Sequence, residues 1–259
     1  MKLIQKIKHL IFFSMLTFLL AQEAFAEVPT WPGGKLYIAF GPDFPTEWAE
    51  PNTVVKQEIV QADIMAISFA DKNYDFIDFA ESVMLSTSNP IKSLGMHYNN
   101  NGNSFHSVHV EEAGTYDMVV NYDGESWSFS AQAHKDKTVT AQPDPNAAEV
   151  YYATFYDSTT SYVADCEVYY VSASTDGRFT LLKADDNIIK AGEGVILKAD
   201  KETISLSSTI TSKTYTSLLT GSDTATTVTN ALVLSYGTDG VRFYKYSGEI
   251  GANKAYLAQ

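Results

Sequence analysis

The chain reads as all-β: two tandem β-sandwich (Ig-like) domains behind a cleaved export signal. Three observations predict this. β-Branched and aromatic residues alternate with polar ones between turn signals, and no long 3.6-residue period appears. Gly-containing turns close three local hairpins, each with one apolar face. A proline-bracketed stretch, Gln142-Pro143-Asp144-Pro145-Asn146, separates two segments of domain size.

The first 26 residues are read as targeting sequence and set aside. Lys2, Lys6 and Lys8 precede an apolar run from Leu10 to Ala21, and Ala24-Phe25-Ala26 puts small residues where a signal peptidase reads. The run is about a dozen residues long, short of the roughly 20 that a transmembrane anchor needs. Cleavage would leave Glu27 at the N-terminus of an exported protein, whether periplasmic, extracellular or on the outer surface.

Removing residues 1–26 takes away three Lys and one Glu, so the net charge moves from −13 to −15. Such acidity repels phosphates and excludes nucleic acid and an anionic membrane surface as partners. Cys166 is the only cysteine, so each domain has to hold by its own core without an internal disulfide. Asp165 and Glu167 flank it and disfavour the thiolate, so Cys166 reads as structural.

The domains are placed at 27–140 and 147–259, with 141–146 as linker. In the first, the Asp123-Gly124 turn read as a two-residue loop sets Val120 opposite Trp127 and Met118 opposite Phe129. That register makes Trp127 a core residue and puts Asn121, Ser126 and Ser128 on the polar face. In the second, a three-residue loop with Gly177 in the left-handed position matches Ala173 to Phe179 and Val171 to Leu181. The last hairpin, with Gly237-Thr238-Asp239-Gly240 as its loop, sets Leu234 opposite Phe243 and Tyr236 opposite Val241. Between these, Ile188-Ile189-Lys190 reads as a strand, Ala191-Gly192-Glu193-Gly194 as a tight bend and Val195-Ile196-Leu197 as a buried strand. A phosphate-cradling P-loop would need a following Lys-Ser/Thr and a helix, which this bend lacks. Apolar runs at 150–155, 194–198 and 255–257 bring the second domain to about eight strands, the number a sandwich of this length uses.

Two resemblances follow from these residues. Tyr151-Tyr152-Ala153-Thr154-Phe155-Tyr156, Val168-Tyr169-Tyr170, the 188–198 segment, Val233-Leu234-Ser235, Gly240-Val241-Arg242-Phe243-Tyr244-Lys245-Tyr246 and Ala252-Asn253-Lys254-Ala255-Tyr256-Leu257 form an ordered series. The series resembles a C-terminal module of many secreted and surface proteins of Bacteroidota, over nearly all of 147–259. That resemblance implies the company of adhesive or repeat regions and no catalytic residues. In the first domain, Leu36-Tyr37-Ile38-Ala39, a loop reaching Trp48, and Glu112-Ala113-Gly114-Thr115-Tyr116-Asp117-Met118-Val119-Val120 are similar to β-sandwich repeats of starch-system surface glycan-binding proteins. It implies a polysaccharide or surface glycan as ligand, although the lipid-modified Cys usual in that family has no counterpart here.

Sugar binding calls for exposed aromatic faces beside hydrogen-bonding amides. His97-Tyr98-Asn99-Asn100-Asn101-Gly102-Asn103 has that composition, with Tyr98 to stack and Asn99 and Asn101 to hydrogen-bond. Trp48 and Trp31, near Pro-rich turns, complete the candidate ligand-binding set. Catalytic and metal constellations are not nominated. His106 and His109 fall on opposite faces of a strand, Asp185-Asp186-Asn187 reads as a solvated turn, and HExxH, CxxC and Gly-x-Ser-x-Gly do not occur. The expectation is therefore a non-enzyme without cofactor or metal that binds a glycan. The alternatives are an adhesin or assembly component contacting other surface proteins, favoured by the Thr-rich stretch 209–229, and a secreted hydrolase or its accessory.

Overall fold

The computed structural model describes residues 33–40, 46–59, 63–70, 86–87, 91–98, 104–125, 127–175, 178–237 and 240–259. Residues 1–26, read from the sequence as an export signal, lie outside these residues. So do Trp31, Asn99, Asn101 and Gly177. The chain is all-β, with no helix among the described residues.

Among the described residues, nine strands precede residue 134: β1 (Tyr37–Phe40), β2 (Thr46–Glu47), β3 (Val55–Ile59), β4 (Asp63–Ala70), β5 (Ser86–Thr87), β6 (Ile91–Tyr98), β7 (Ser104–Val110), β8 (Gly114–Tyr122) and β9 (Trp127–Ala133). They form a five-stranded sheet ordered β2-β1-β4-β7-β6 and a four-stranded sheet ordered β3-β8-β9-β5, antiparallel except for the β5–β9 pair. Leu36, Ile38 and Val110 from the first sheet side meet Ile59, Tyr116, Met118, Val120, Phe129 and Ala131 from the second in one buried core. Two sheets sharing a core of alternating inward residues is the arrangement of a β-sandwich.

The β8–β9 register differs from the sequence expectation by two residues. Tyr122 pairs with Trp127, Val120 with Phe129 and Met118 with Ala131, so the loop spans four residues rather than two. A two-residue slip keeps every side chain on its expected face. The longer strands are stabilised at their ends. Tyr122 and Trp127 stack with ring centroids 4.3 Å apart, and Asn52 braces Tyr122 by donating Nδ2–H to its carbonyl and accepting its N–H, both at 3.0 Å. Trp127 packs on the core as expected.

The remaining strands are β10 (Asp136–Thr140), β11 (Gln142–Pro143), β12 (Tyr151–Phe155), β13 (Ser161–Ala164), β14 (Glu167–Thr175), β15 (Arg178–Lys183), β16 (Ile188–Ile189), β17 (Val195–Ala199), β18 (Thr203–Thr209), β19 (Thr220–Ser222), β20 (Thr226–Gly237), β21 (Gly240–Ile250) and β22 (Lys254–Tyr256). Sheets β10-β18-β13-β16 and β11-β12-β17-β14-β15 enclose a second core that includes Phe155, Tyr162, Val168, Tyr170, Leu197 and Leu206. β10, assigned to the first domain from sequence, hydrogen-bonds along its length to β18, and two residues of the expected linker, Gln142 and Pro143, pair with β12. Local composition marks the prolines but carries no information on a partner strand more than 60 residues away.

β14 and β15 pair Val171 with Leu181, as expected, but Ser174 with Phe179 and Thr175 with Arg178. The loop is two residues, not three, and a bulge between Val171 and Ala173 absorbs the extra residue. The β20–β21 hairpin has the expected pairs Leu234–Phe243 and Tyr236–Val241, continuing to Gly237–Gly240. The 188–195 segment is a corner rather than a hairpin: β16 joins one sheet and β17 the other, with Gly192 at φ 82° in the bend.

A third layer completes the C-terminal half. Val171, Ile196, Leu219 and Ala255 form a smaller core on the outer face of the β12-β17-β14-β15 sheet, covered by Leu234, Phe243 and Leu257 from the β20–β21 hairpin and the chain's end. Leu232 and Leu257 exchange backbone hydrogen bonds of 2.9 Å in both directions and fasten the hairpin there.

Candidate functional site

The residues expected to bind a glycan in the first domain do not converge among the described residues. Trp48 follows β2, at one edge of the five-stranded sheet, and is half-buried against the first core. Its N–H donates to the Leu36 carbonyl at 2.8 Å. Tyr98 ends β6, the opposite edge strand, with three strands between. At about 4.8 Å per strand the two edges stand roughly 19 Å apart. Tyr98 belongs to the strand and pairs with Ser104. His106 and His109 both lie in β7, at positions of opposite parity.

A concave site forms elsewhere, between the outer face of the second sandwich and the β20–β21 hairpin. It is an open cleft of about 410 Å³, within the roughly 300–1,000 Å³ usual for small-ligand sites. Its floor is Tyr152 of β12 and Ile196 of β17, one wall is Phe179 and Leu181 of β15, and the other is Leu234, Val241 and Phe243 of the hairpin. Asp144 and Arg242 bring charge to the lining. The walls touch through Phe179 and Phe243, whose centroids are 4.9 Å apart at an interplanar angle of 63°.

Period-two alternation builds this cleft. Leu234 and Tyr236 share a face with their partners Phe243 and Val241, and that face turns toward the sheet. Gly240, at φ 88°, lets the hairpin turn. Near the tip, the Tyr236 hydroxyl donates to the Tyr152 carbonyl at 3.3 Å and ties the hairpin to β12. Burial, with a smaller contribution from Asp144, pushes the Tyr236 phenol above its ordinary range, so it remains a donor at physiological pH.

Phe179, Leu181, Leu234, Val241 and Phe243 were visible in the sequence as members of hairpin pairs, but an apolar hairpin face is indistinguishable from a core face until its opposing sheet is known. The edge-on contact of Phe179 and Phe243 bounds the space, with Tyr152 half-buried beneath it.

Two groups of catalytic type are built for structure. Burial, reinforced by the Asp165 carboxylate, pushes the Cys166 thiol up to about 12, which suppresses its thiolate. Ser208, His134 and Asp117 meet between the two halves. The Ser208 and Asp117 oxygens both approach the same imidazole nitrogen, Nδ1, at 3.1 and 2.7 Å. A nucleophilic triad needs serine and carboxylate on different nitrogens. Here Nε2 faces Asp136 at 3.0 Å, and Ser208 and Asp117 are buried.

The chain matches no family model, no curated protein and no solved structure.

Proposed function

We propose that this chain is an exported, non-catalytic binding protein that takes a polysaccharide at a bacterial surface. The cleft between β15 and the β20–β21 hairpin supports this reading. Pyranose rings present C–H faces that stack on aromatic walls such as Phe179, Phe243 and Tyr152, and hydroxyls that pair with groups such as Asp144 and Arg242. The likeness of 147–259 to terminal modules of exported Bacteroidota proteins agrees with it. The site thus moves from the Trp48–Tyr98 set to the C-terminal half.

Affinity electrophoresis and calorimetry against starch and other polysaccharides test the proposal. Binding to at least one polymer is expected, weakened about tenfold by Phe243→Ala, which removes one aromatic wall. A uniformly negative panel, or binding that Phe243→Ala leaves unchanged, overturns it.

One observation favours an adhesin or assembly role. Seven of the nine lining residues are apolar or aromatic, which also suits an apolar side chain from a protein partner. Capture of a surface protein that no soluble sugar competes away would select this reading.

A further inference from the structure

β15 is an edge strand, with β14 as its one partner among the described residues. Its outer side presents unpaired backbone groups, and natural proteins blunt such edges with central charges, prolines or bulges. β15 does not. Its interior, Phe179-Thr180-Leu181-Leu182, is uncharged, and Leu181 and Leu182 are 47% and 49% exposed. Adjacent strand residues point to opposite faces, so the edge is apolar above and below the sheet.

We propose that β15 pairs antiparallel with β15 of a second copy of this chain, about a twofold axis normal to the sheet through Leu181. Such an axis keeps each face on its own side, so paired residues must share parity. Three registers keep the strand overlapped. Centring on Thr180 sets Arg178 against Leu182 and leaves the leucines unmatched. Centring on Leu182 sets Leu181 against Lys183. Centring on Leu181 joins the two Leu181 side chains on the outer face, covers each Leu182 with Thr180 and sets each Phe179 beside Lys183.

Charge complementarity is compatible with this register: centring on Leu182 would set Arg178 against Asp186, but that carboxylate is already ion-paired with Lys213. The strand starts at the cation Arg178 and runs into the acidic turn Asp185-Asp186, with Asp185 exposed. Antiparallel pairing about Leu181 aligns Arg178 of each copy with Ala184 of the other, one position from Asp185. Lys183 is already ion-paired with Glu167 in its own chain. Opposite charges across a strand pair stabilise it, and like charges directly opposite destabilise it. The net charge of −13 opposes association at long range, but that repulsion is screened beyond about 8 Å at 0.15 M salt. Phe179 and Leu181 also line the cleft, so pairing puts two clefts side by side on one face of a continuous sheet.

Sedimentation velocity of the whole chain at 0.15 M salt, over a range of protein concentrations, tests this. A monomer–dimer equilibrium is expected for the native sequence and only monomer for Leu181→Lys. Arg178→Asp should weaken the dimer about tenfold, because symmetry removes the attraction twice. Arg178→Asp combined with Asp185→Arg should restore it, a recovery that misfolding cannot produce. Register is read by oxidation. Leu181→Cys should cross-link with itself, since directly paired Cα atoms lie within disulfide reach, whereas Arg178→Cys should not. The buried Cys166 does not compete. Monomer at all concentrations, a dimer indifferent to Leu181→Lys, or failure of the charge swap to restore association overturns the proposal. None of these readouts requires a ligand, so they stand apart from the polysaccharide reading.

Discussion

At Gly194 a methyl group would have no space. A Cβ there would meet Leu219 Cβ and the Leu219 carbonyl at 2.8 Å and Ala255 Cβ at 2.9 Å. The glycine read from the sequence as part of a bend is thus also the point where the chain's end packs onto the second sandwich. Gly194→Ala should cost about 1–3 kcal/mol, the usual range for overpacking, measured by urea denaturation; unchanged stability would contradict the close packing. Asp157 carries the electrostatic counterpart. Burial raises its carboxyl, but Lys137 Nζ at 2.6 Å and the N–H groups of Thr160 and Thr159 at 2.9 and 3.1 Å more than offset this and hold it below the ordinary range. A depressed carboxyl contributes stability above its unfolded value near pH 3.9, and that contribution is withdrawn as pH falls through the folded value. Asp157→Asn should therefore be less stable at neutral pH, by about 3 kcal/mol. Its stability should also fall less than that of the native sequence between about pH 5 and pH 2. Parallel acid limbs for the two proteins would show that Asp157 is not the responsible group.

Strand pairs show where local sequence suffices and where it does not. The β20–β21 register followed from alternation together with the placing of the loop at 237–240, since alternation alone leaves two-residue slips open. In β8–β9 the Asp-Gly signal suggested a tighter turn, while the Tyr122–Trp127 stack and Asn52, about 70 residues away, determine the ends. In β14–β15 the bulge at Ser172 permits both the Val171–Leu181 pair and the two-residue loop. The corner into β17 is held by Ser161 Oγ, which accepts the Ala191 N–H at 3.0 Å, and by Tyr170. The Tyr170 hydroxyl donates to the Ile188 carbonyl at 2.9 Å and accepts the Lys190 N–H at 2.8 Å, tying β14 to the end of β16. Tyr170→Phe fills the same volume but leaves both backbone groups without this partner. A loss of about 1–3 kcal/mol is expected, with faster amide exchange at Lys190; protection equal to the native protein would rule out this role.

The two halves meet through polar groups, and this contact was not readable from composition. Asp117 and His134 belong to the first sandwich and its exit, and Ser208 to β18. Ser208 hydrogen-bonds the Asp117 carboxylate, Gln132 Nε2 donates to the Thr209 carbonyl at 3.1 Å, and Lys56 Nζ donates to Ser207 Oγ at 3.0 Å. An alternating strand predicts that Asp117 faces solvent; it is buried because β18 covers that face. Ser208→Val leaves Asp117 short of a donor at no gain in packing. It should cost about 1–3 kcal/mol and separate the unfolding of the two cores in a calorimetric scan; a single unshifted transition would show that Ser208 does not couple them.

The cleft is likewise a property of assembled layers, since its lining runs from Asp144 to Phe243 through five strands. Its role is tested most directly by amide NMR titration with oligosaccharide fragments of whichever polymers the binding panel contains. Shifts confined to residues 178–183, 196 and 234–243 are the result expected of a ligand seated between β15 and the β20–β21 hairpin. Shifts centred on Trp48 or Tyr98, with the cleft silent, would return the site to the N-terminal half and contradict the assignment.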